Sequence, residues 1–341
     1  MLDRQNKIAE SFDSACEAMR LAPSEPAHQT RLVEILSKIE DIDRRQQGLS
    51  LLTPLLDDQP KNASAWALRG QIRAALGRID QSAADFILAL DRSDDTTYWA
   101  SPRKLVARTV AQSTELFKII SENRPEDGTL WIGRGQFHAL RNQWAQAVDD
   151  YAKVIDSRPV SDDCFEYAAL LLLLDERERY NDYCKQMVAR IGDPSGPDAY
   201  YLAHLCAIGP AQGIDQAMIV QWANRGMNVG QPWTLAALAL AETRAGQFER
   251  AIEHYQQSSS LPGSEDCRAR NYFGLAIAFA ALGRTKAAQE SLEQGRRLFQ
   301  QVHSPRLNGP TPLRSPGEWI EQNILSREAE ALVHSSVSQD K

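Results

Sequence analysis

The chain has 341 residues, 43% of them hydrophobic and 24% charged, with a net charge of −7. That length and apolar content fit two ordinary domains or one elongated repeat array, and exclude a disordered polymer. The acidic balance excludes a general nucleic-acid binder, which needs a basic surface, and points to neutral or basic partners. The opening MLDRQNKIAE is charged and lacks the apolar core of a secretion signal. The longest apolar run, Ala168–Leu174, is far shorter than the ~20 residues that cross a bilayer. Five scattered cysteines (Cys16, Cys164, Cys184, Cys206 and Cys267) read as reduced helix residues, so the expected location is cytoplasmic.

Taken in order, residues 6–22 predict a helix with Ala15, Ala18, Met19 and Leu21 on one face, stopped by Pro23 and Pro26. It reads as the second half of an incomplete pair, and the missing half leaves an N-terminal end open to self-association. From Gln29 to Pro60 a full pair is expected, with Leu32, Ile35, Leu36 and Ile39 on one helix and Leu49, Leu52, Leu55 and Leu56 on the next. Residues 63–94 form a clearer pair. In 95–125 the first half is irregular, Pro102 marks a helix start, and Ala111, Leu116, Phe117 and Ile120 give a good second helix.

Residues 128–159 carry the pattern most plainly. Trp131, Arg134, Gly135 and His138 fall on one face of a first helix. Trp144, Ala147, Val148, Tyr151 and Val154 do the same on a second, and Pro159 ends the unit. Gly135 in mid-helix costs about 1 kcal/mol, which close approach of a second helix would offset. Further pairs are expected at 164–174 with 180–191, joined by a solvated DERER loop, and at 197–208 with 214–227. The strong pattern returns in 232–262 and 269–300. Residues 301–315 are read as a Pro/Gly linker. A last helix over 316–334 starts with Ser315 as N-cap, Pro316 at its first position and Glu318 placed for a capping box. Trp319, Ile320, Ile324, Ala329, Leu332 and Val333 give it an apolar face that would cap the open end of the array. The tail 335–341 is expected to be disordered.

An aromatic residue, then a small one a turn later, Leu-Gly at the turn, then Ala and an aromatic in the second helix, closed by Pro: this spacing resembles the tetratricopeptide repeat. Trp131, Gly135, Trp144, Ala147, Tyr151 and Pro159 carry it in one unit, with Arg141-Asn142 in place of Leu-Gly. Trp66, Gly70, Leu76-Gly77, Phe86 and Ala89 carry it in another. In 232–262 the matching residues include Leu235, Ala239, Gly246, Ala251 and Tyr255; in 269–300 they include Tyr272, Ala276, Leu282-Gly283 and Ala288. WIGRGQFHALRNQW and EWIEQNILSREAEALV also resemble repeat regions of planctomycete-type bacterial proteins, some attached to a Ser/Thr kinase or WD40 domain. No kinase motif is present.

The resemblance implies an all-α fold: a right-handed superhelical solenoid of antiparallel helix pairs over residues 1–300, with a C-terminal capping helix. It also implies a concave surface lined by first helices. On that surface the residues expected to bind a partner are Gln71, Ile132, Gln136, Leu140, Phe273 and Ile277. The amides would meet a peptide backbone and the apolar side chains would form pockets.

Motifs of catalysis are missing: no phosphate loop, HExxH, CxxC or GxSxG. Gly133-Arg134-Gly135 lacks a third glycine, and His204 and Cys206, two apart, point to different sides of a helix. No cofactor or metal is expected. The function expected from sequence is a non-catalytic scaffold binding a protein or peptide segment, without nucleic acid or membrane. The alternative is a regulatory or small-ligand-binding repeat domain associated with a kinase or other enzyme.

Overall fold

A computed structural model describes residues 2–22, 25, 27–28, 31–32, 35, 41–93, 102–157, 159–227, 231–262, 265–307 and 316–339. Among them are seventeen α-helices, one short 3-10 turn and no strand. The expected first helix of the 29–60 pair, the irregular 94–101 stretch and the Ser315 cap lie largely or wholly outside the described residues. The chain divides into two units, residues 1–137 and 138–341.

Unit 1 holds α1 (Leu2–Leu21), α2 (Ile42–Asp58), α3 (Ala63–Ala75), α4 (Ile79–Arg92), α5 (Pro102–Val110), α6 (Thr114–Asn123) and nearly all of α7 (Gly128–Ala139). Helix starts follow local chemistry. The side chains of Asp41, Asn62 and Ser113 accept hydrogen bonds from the amides of Arg44, Ala65 and Leu116, at 2.8, 3.0 and 3.2 Å. Each satisfies a donor that has no partner within its helix. Helix α3 packs on α4 and α5, and α4 on α6, so consecutive pairs stack side by side. Phe12, Leu32, Leu52 and Leu68 fill one core, and Phe86, Leu116, Phe117, Ile120 and Leu130 the next. A methyl group on Gly70 would stand 2.6 Å from the Phe86 ring, so this glycine lets α3 and α4 close on each other.

Unit 2 holds α8 (Trp144–Ala152), α9 (Asp162–Leu173), α10 (Arg177–Ile191), α11 (Gly196–Ala207), α12 (Gln216–Arg225), α13 (Pro232–Arg244) and α14 (Phe248–Ser260). It continues with α15 (Glu265–Ala281), α16 (Thr285–Leu307) and α17 (Pro316–Gln339). The first helices α9, α11, α13 and α15 pack against one another in series, each also paired with its follower. The all-α architecture of stacked antiparallel pairs is thus present within each unit.

One turn recurs in both. Gly77, Gly246 and Gly283 adopt φ of 73°, 73° and 68°, and Asn142 and Asp175 adopt 59° and 61°. In all five, the residue after the left-handed one returns its amide to a carbonyl five residues back: Arg78 to Arg73, Gln143 to His138, Glu176 to Leu171, Gln247 to Glu242 and Arg284 to Phe279. This is the Schellman closure, and it leaves the next helix antiparallel to the last. Arg141-Asn142 therefore keeps the turn that Leu-Gly makes elsewhere. The DERER segment is shorter as a loop than its charge implies: Asp175 makes the turn and Arg177 already begins α10.

Two further boundaries and one placement differ from the sequence reading. Helix α16 runs to Leu307, so residues 301–307 are helical and not linker; buried Val302 gives this extension an apolar anchor. Helix α17 runs to Gln339, so 335–339 are helical too; the Ser335 hydroxyl donates to the Ala331 carbonyl at 2.8 Å. The third difference is placement. Helix α17 touches α16, as an end cap would, but also packs along α9 and α15.

Candidate interaction surfaces

Two places in the fold have the geometry of a binding surface. The first is a cavity in unit 1 of about 350 Å³, at the edge where the α3–α4 and α5–α6 turns lie. Gln71, Ile72, Ala74 and Ala75 of α3 form one wall, and Thr109, Gln112, Ser113 and Leu116 the other. Arg45 is the charged side chain in its lining. The Oε1 of Gln71 is buried and has no hydrogen-bond partner among the described residues. A buried acceptor left unmade costs roughly 1–3 kcal/mol, so a donor arriving in the cavity would be favoured by that amount at most. Between α3 and α4, Asp85 of α4 holds Arg69 of α3 through two bonds of 3.0 and 2.9 Å and Arg73 through one of 2.7 Å. This buried cluster fixes α3 on α4, and with it the direction of the Gln71 wall.

The second place is the inner face of unit 2, where α17 lies. Glu321, near the start of α17, is fully enclosed. Its Oε1 accepts from His204 Nε2 of α11 at 2.7 Å and its Oε2 from Arg270 Nη1 of α15 at 3.0 Å. Burial alone would raise the Glu321 carboxyl; Arg270 and His204 overcome it and hold the group down at about 2. Seven residues later Glu328 takes a forked bond from Arg244 of α13, one arm at 2.8 Å. The same guanidinium also donates to the Ala207 and Ile208 carbonyls at the end of α11, at 2.8 and 2.9 Å. Trp319 stacks on Trp144 of α8, centroids 5.4 Å apart and planes 11° from parallel. His204 is also stacked on Phe165 of α9 at 4.1 Å. Elsewhere in α9, burial pushes the Glu166 carboxyl up to about 8, against the pull of the Tyr151 hydroxyl.

The six residues expected to bind a partner fall into different settings. Gln71 lines the cavity. Ile132 and Gln136 sit one turn apart on α7; Ile132 is only 5% exposed, Gln136 is half-buried, and Leu140 is half-buried in the turn that follows. Phe273 is 0% exposed, and its ring faces α16, where a methyl on Gly295 would meet it at 2.7 Å. It is a core residue and not a pocket of the inner surface. Ile277, one turn on, is 3% exposed on α15, the helix against which α17 packs. Sequence reasoning missed His204, Arg244, Arg270, Glu321 and Glu328, since their partners are 36 to 117 residues away. The available signal was that Glu321 and Glu328 stand two turns apart, in register with buried Leu325, on a helix that also carries Glu318 and Glu330.

Residues 41–96 match the tetratricopeptide repeat family model. The match spans α2, α3 and α4 and the turn at Gly77. No curated protein matches the chain. Among solved structures, the chain is similar to the MamA protein, at 16% identity and a TM-score of 0.31, covering 55% of this chain and 98% of that one. It is similar to the Cut9-Hcn1 hetero-tetramer of the APC/C at 12% identity and a TM-score of 0.36, covering 98% and 94%. It is similar to yeast Tom70 at 11% identity and a TM-score of 0.32, covering 96% and 93%. At such identities and scores none of them informs the partner of this chain.

Proposed function

We propose that the chain is a non-catalytic interaction scaffold whose unit 1 binds an extended segment of a partner protein in the cavity beside Gln71. The observation that carries this reading is the Gln71 carbonyl oxygen, buried at the cavity wall without a donor among the described residues. A peptide backbone offers an N–H at every residue, and one reaching this oxygen would satisfy it. Ile72, Ala74, Ile79 and Leu116 would cover an apolar side chain on either side. The lining pairs one guanidinium with amides and hydroxyls, a setting for recognition rather than for proton transfer.

Gln71→Ala removes the acceptor, and Ala75→Arg fills the entrance from an exposed position. Wild type and both variants would be used to capture partners, identified by quantitative mass spectrometry, with the melting profile of each protein as a folding control. A partner held by wild type should bind Gln71→Ala about tenfold more weakly, the worth of roughly one hydrogen bond. It should be lost to Ala75→Arg. Retention of every partner by both folded variants would remove the cavity from the function.

A further inference from the structure

We propose that the inner face of unit 2 is a receptor for an acidic helix bearing a tryptophan and two glutamates seven residues apart, that α17 occupies it in cis, and that a partner protein's helix of the same chemistry displaces α17. This does not rest on the cavity of unit 1.

The face supplies guanidinium and imidazole groups and the helix supplies carboxylates. Glu321 meets His204 and Arg270, Glu328 meets Arg244, and Glu330 meets Arg296 at 2.8 Å. Seven residues are two helical turns, about 10 Å of rise, so the first two contacts fix both position and rotation of the helix. A helix that only closed an apolar surface would gain nothing from this. Taking charges from water costs several kcal/mol per ion, and buried pairs exchanged for apolar residues often leave a protein equally or more stable. What such pairs add is discrimination. A helix lacking either carboxylate leaves Arg270 or Arg244 enclosed without its counter-charge, and is rejected.

The occupant is also separable from its site. No pair of the array is completed by α17; it lies across α9, α11, α13 and α15, and it reaches them after residues 308–315. Because α17 is joined to the face through its own chain, its binding is intramolecular, and it dominates until a stronger or more abundant helix competes.

The test uses the full chain with a protease recognition sequence inserted between Asn308 and Pro312. After cleavage, a fluorescent synthetic peptide of residues 314–341 is added in excess, and release of the cut helix is followed by size exclusion and mass spectrometry. The peptide should replace the cut helix while the remainder keeps its far-ultraviolet spectrum. A peptide carrying Glu321→Gln and Glu328→Gln should compete at least tenfold less well. The uncut chain should take up the wild-type peptide at least tenfold more weakly than the cut one. The proposal is overturned if the cut helix stays in place under excess peptide, or if its departure unfolds the remainder, since α17 would then be a fixed part of the fold. Equal competition by the two peptides would overturn the charge-based recognition. Formation of dimers that exchange α17 between copies would assign the face to a second copy and overturn the partner assignment.

Discussion

Asp175 occupies a backbone position that glycine takes in three sister turns. Its φ of 61° places the side chain in the left-handed region, which costs an L-residue about 1–2 kcal/mol relative to glycine; aspartate recovers part of this through local hydrogen bonding. The carboxylate bonds Arg177 Nε at 3.0 Å, but both groups are largely exposed, so that contact contributes little. Asp175→Gly is therefore expected to stabilise the protein by about 0.5–1 kcal/mol, read as a higher urea midpoint at unchanged slope. An unchanged or lower midpoint would mean that Asp175 is held by more than its turn. At this scale the sequence was partly legible. Gly70 and Phe86 were read as repeat positions, because size and spacing are visible in the letters; that one closes on the other is seen only in the structure. That Asn142 keeps the turn was not read, because the letter differs while the φ it tolerates is the same. Phe273 was read as a surface pocket because a position in a repeat says which helix carries it, not which neighbour reaches it first.

Elements were legible where their period was local. The pairs over 63–94, 232–262 and 269–300 lie where α3–α4, α13–α14 and α15–α16 form, since apolar spacing and turn chemistry are contained in each stretch. Helix α17 was legible as a helix but not in its placement, because its charged contacts come from α11, α13, α15 and α16. Its docking should depend on pH in a definite direction. The Glu321 carboxyl is held at about 2 in the folded chain against an ordinary 4.5, so the folded state gives up this proton more readily than the unfolded one. The resulting stability, roughly 3 kcal/mol, is fully present above pH 4.5 and is lost as pH falls towards 2. Wild type should exceed Glu321→Gln in stability at neutral pH, with the gap closing across that window. Paired denaturant titrations at pH 7, 4.5 and 3, followed by Trp319 and Trp144 fluorescence, measure it. A gap independent of pH would show that the carboxylate charge does not hold α17.

At the scale of the molecule, the two units meet different fates. Among the described residues of unit 1, the main helix contacts join helices no more than two apart, as in a linear array, where stability is a sum of repeat and neighbour contributions. Such an array frays from its ends and melts in steps. Unit 2 has a strap: α17 ties α9 directly to α15 and α16, elements that the linear order separates by several helices. A strap converts neighbour-only coupling into all-at-once coupling, since no single pair can open without also breaking the strap. Residues 162–281 should thus exchange their core amides at one common rate, and should split into a gradient, slowest in the middle, once the segment at 308–312 is cut and α17 removed. A gradient already present in the intact chain would mean that the strap is slack. The helix that gives the inner face its acidic occupant would also make one cooperative block out of a row of parts.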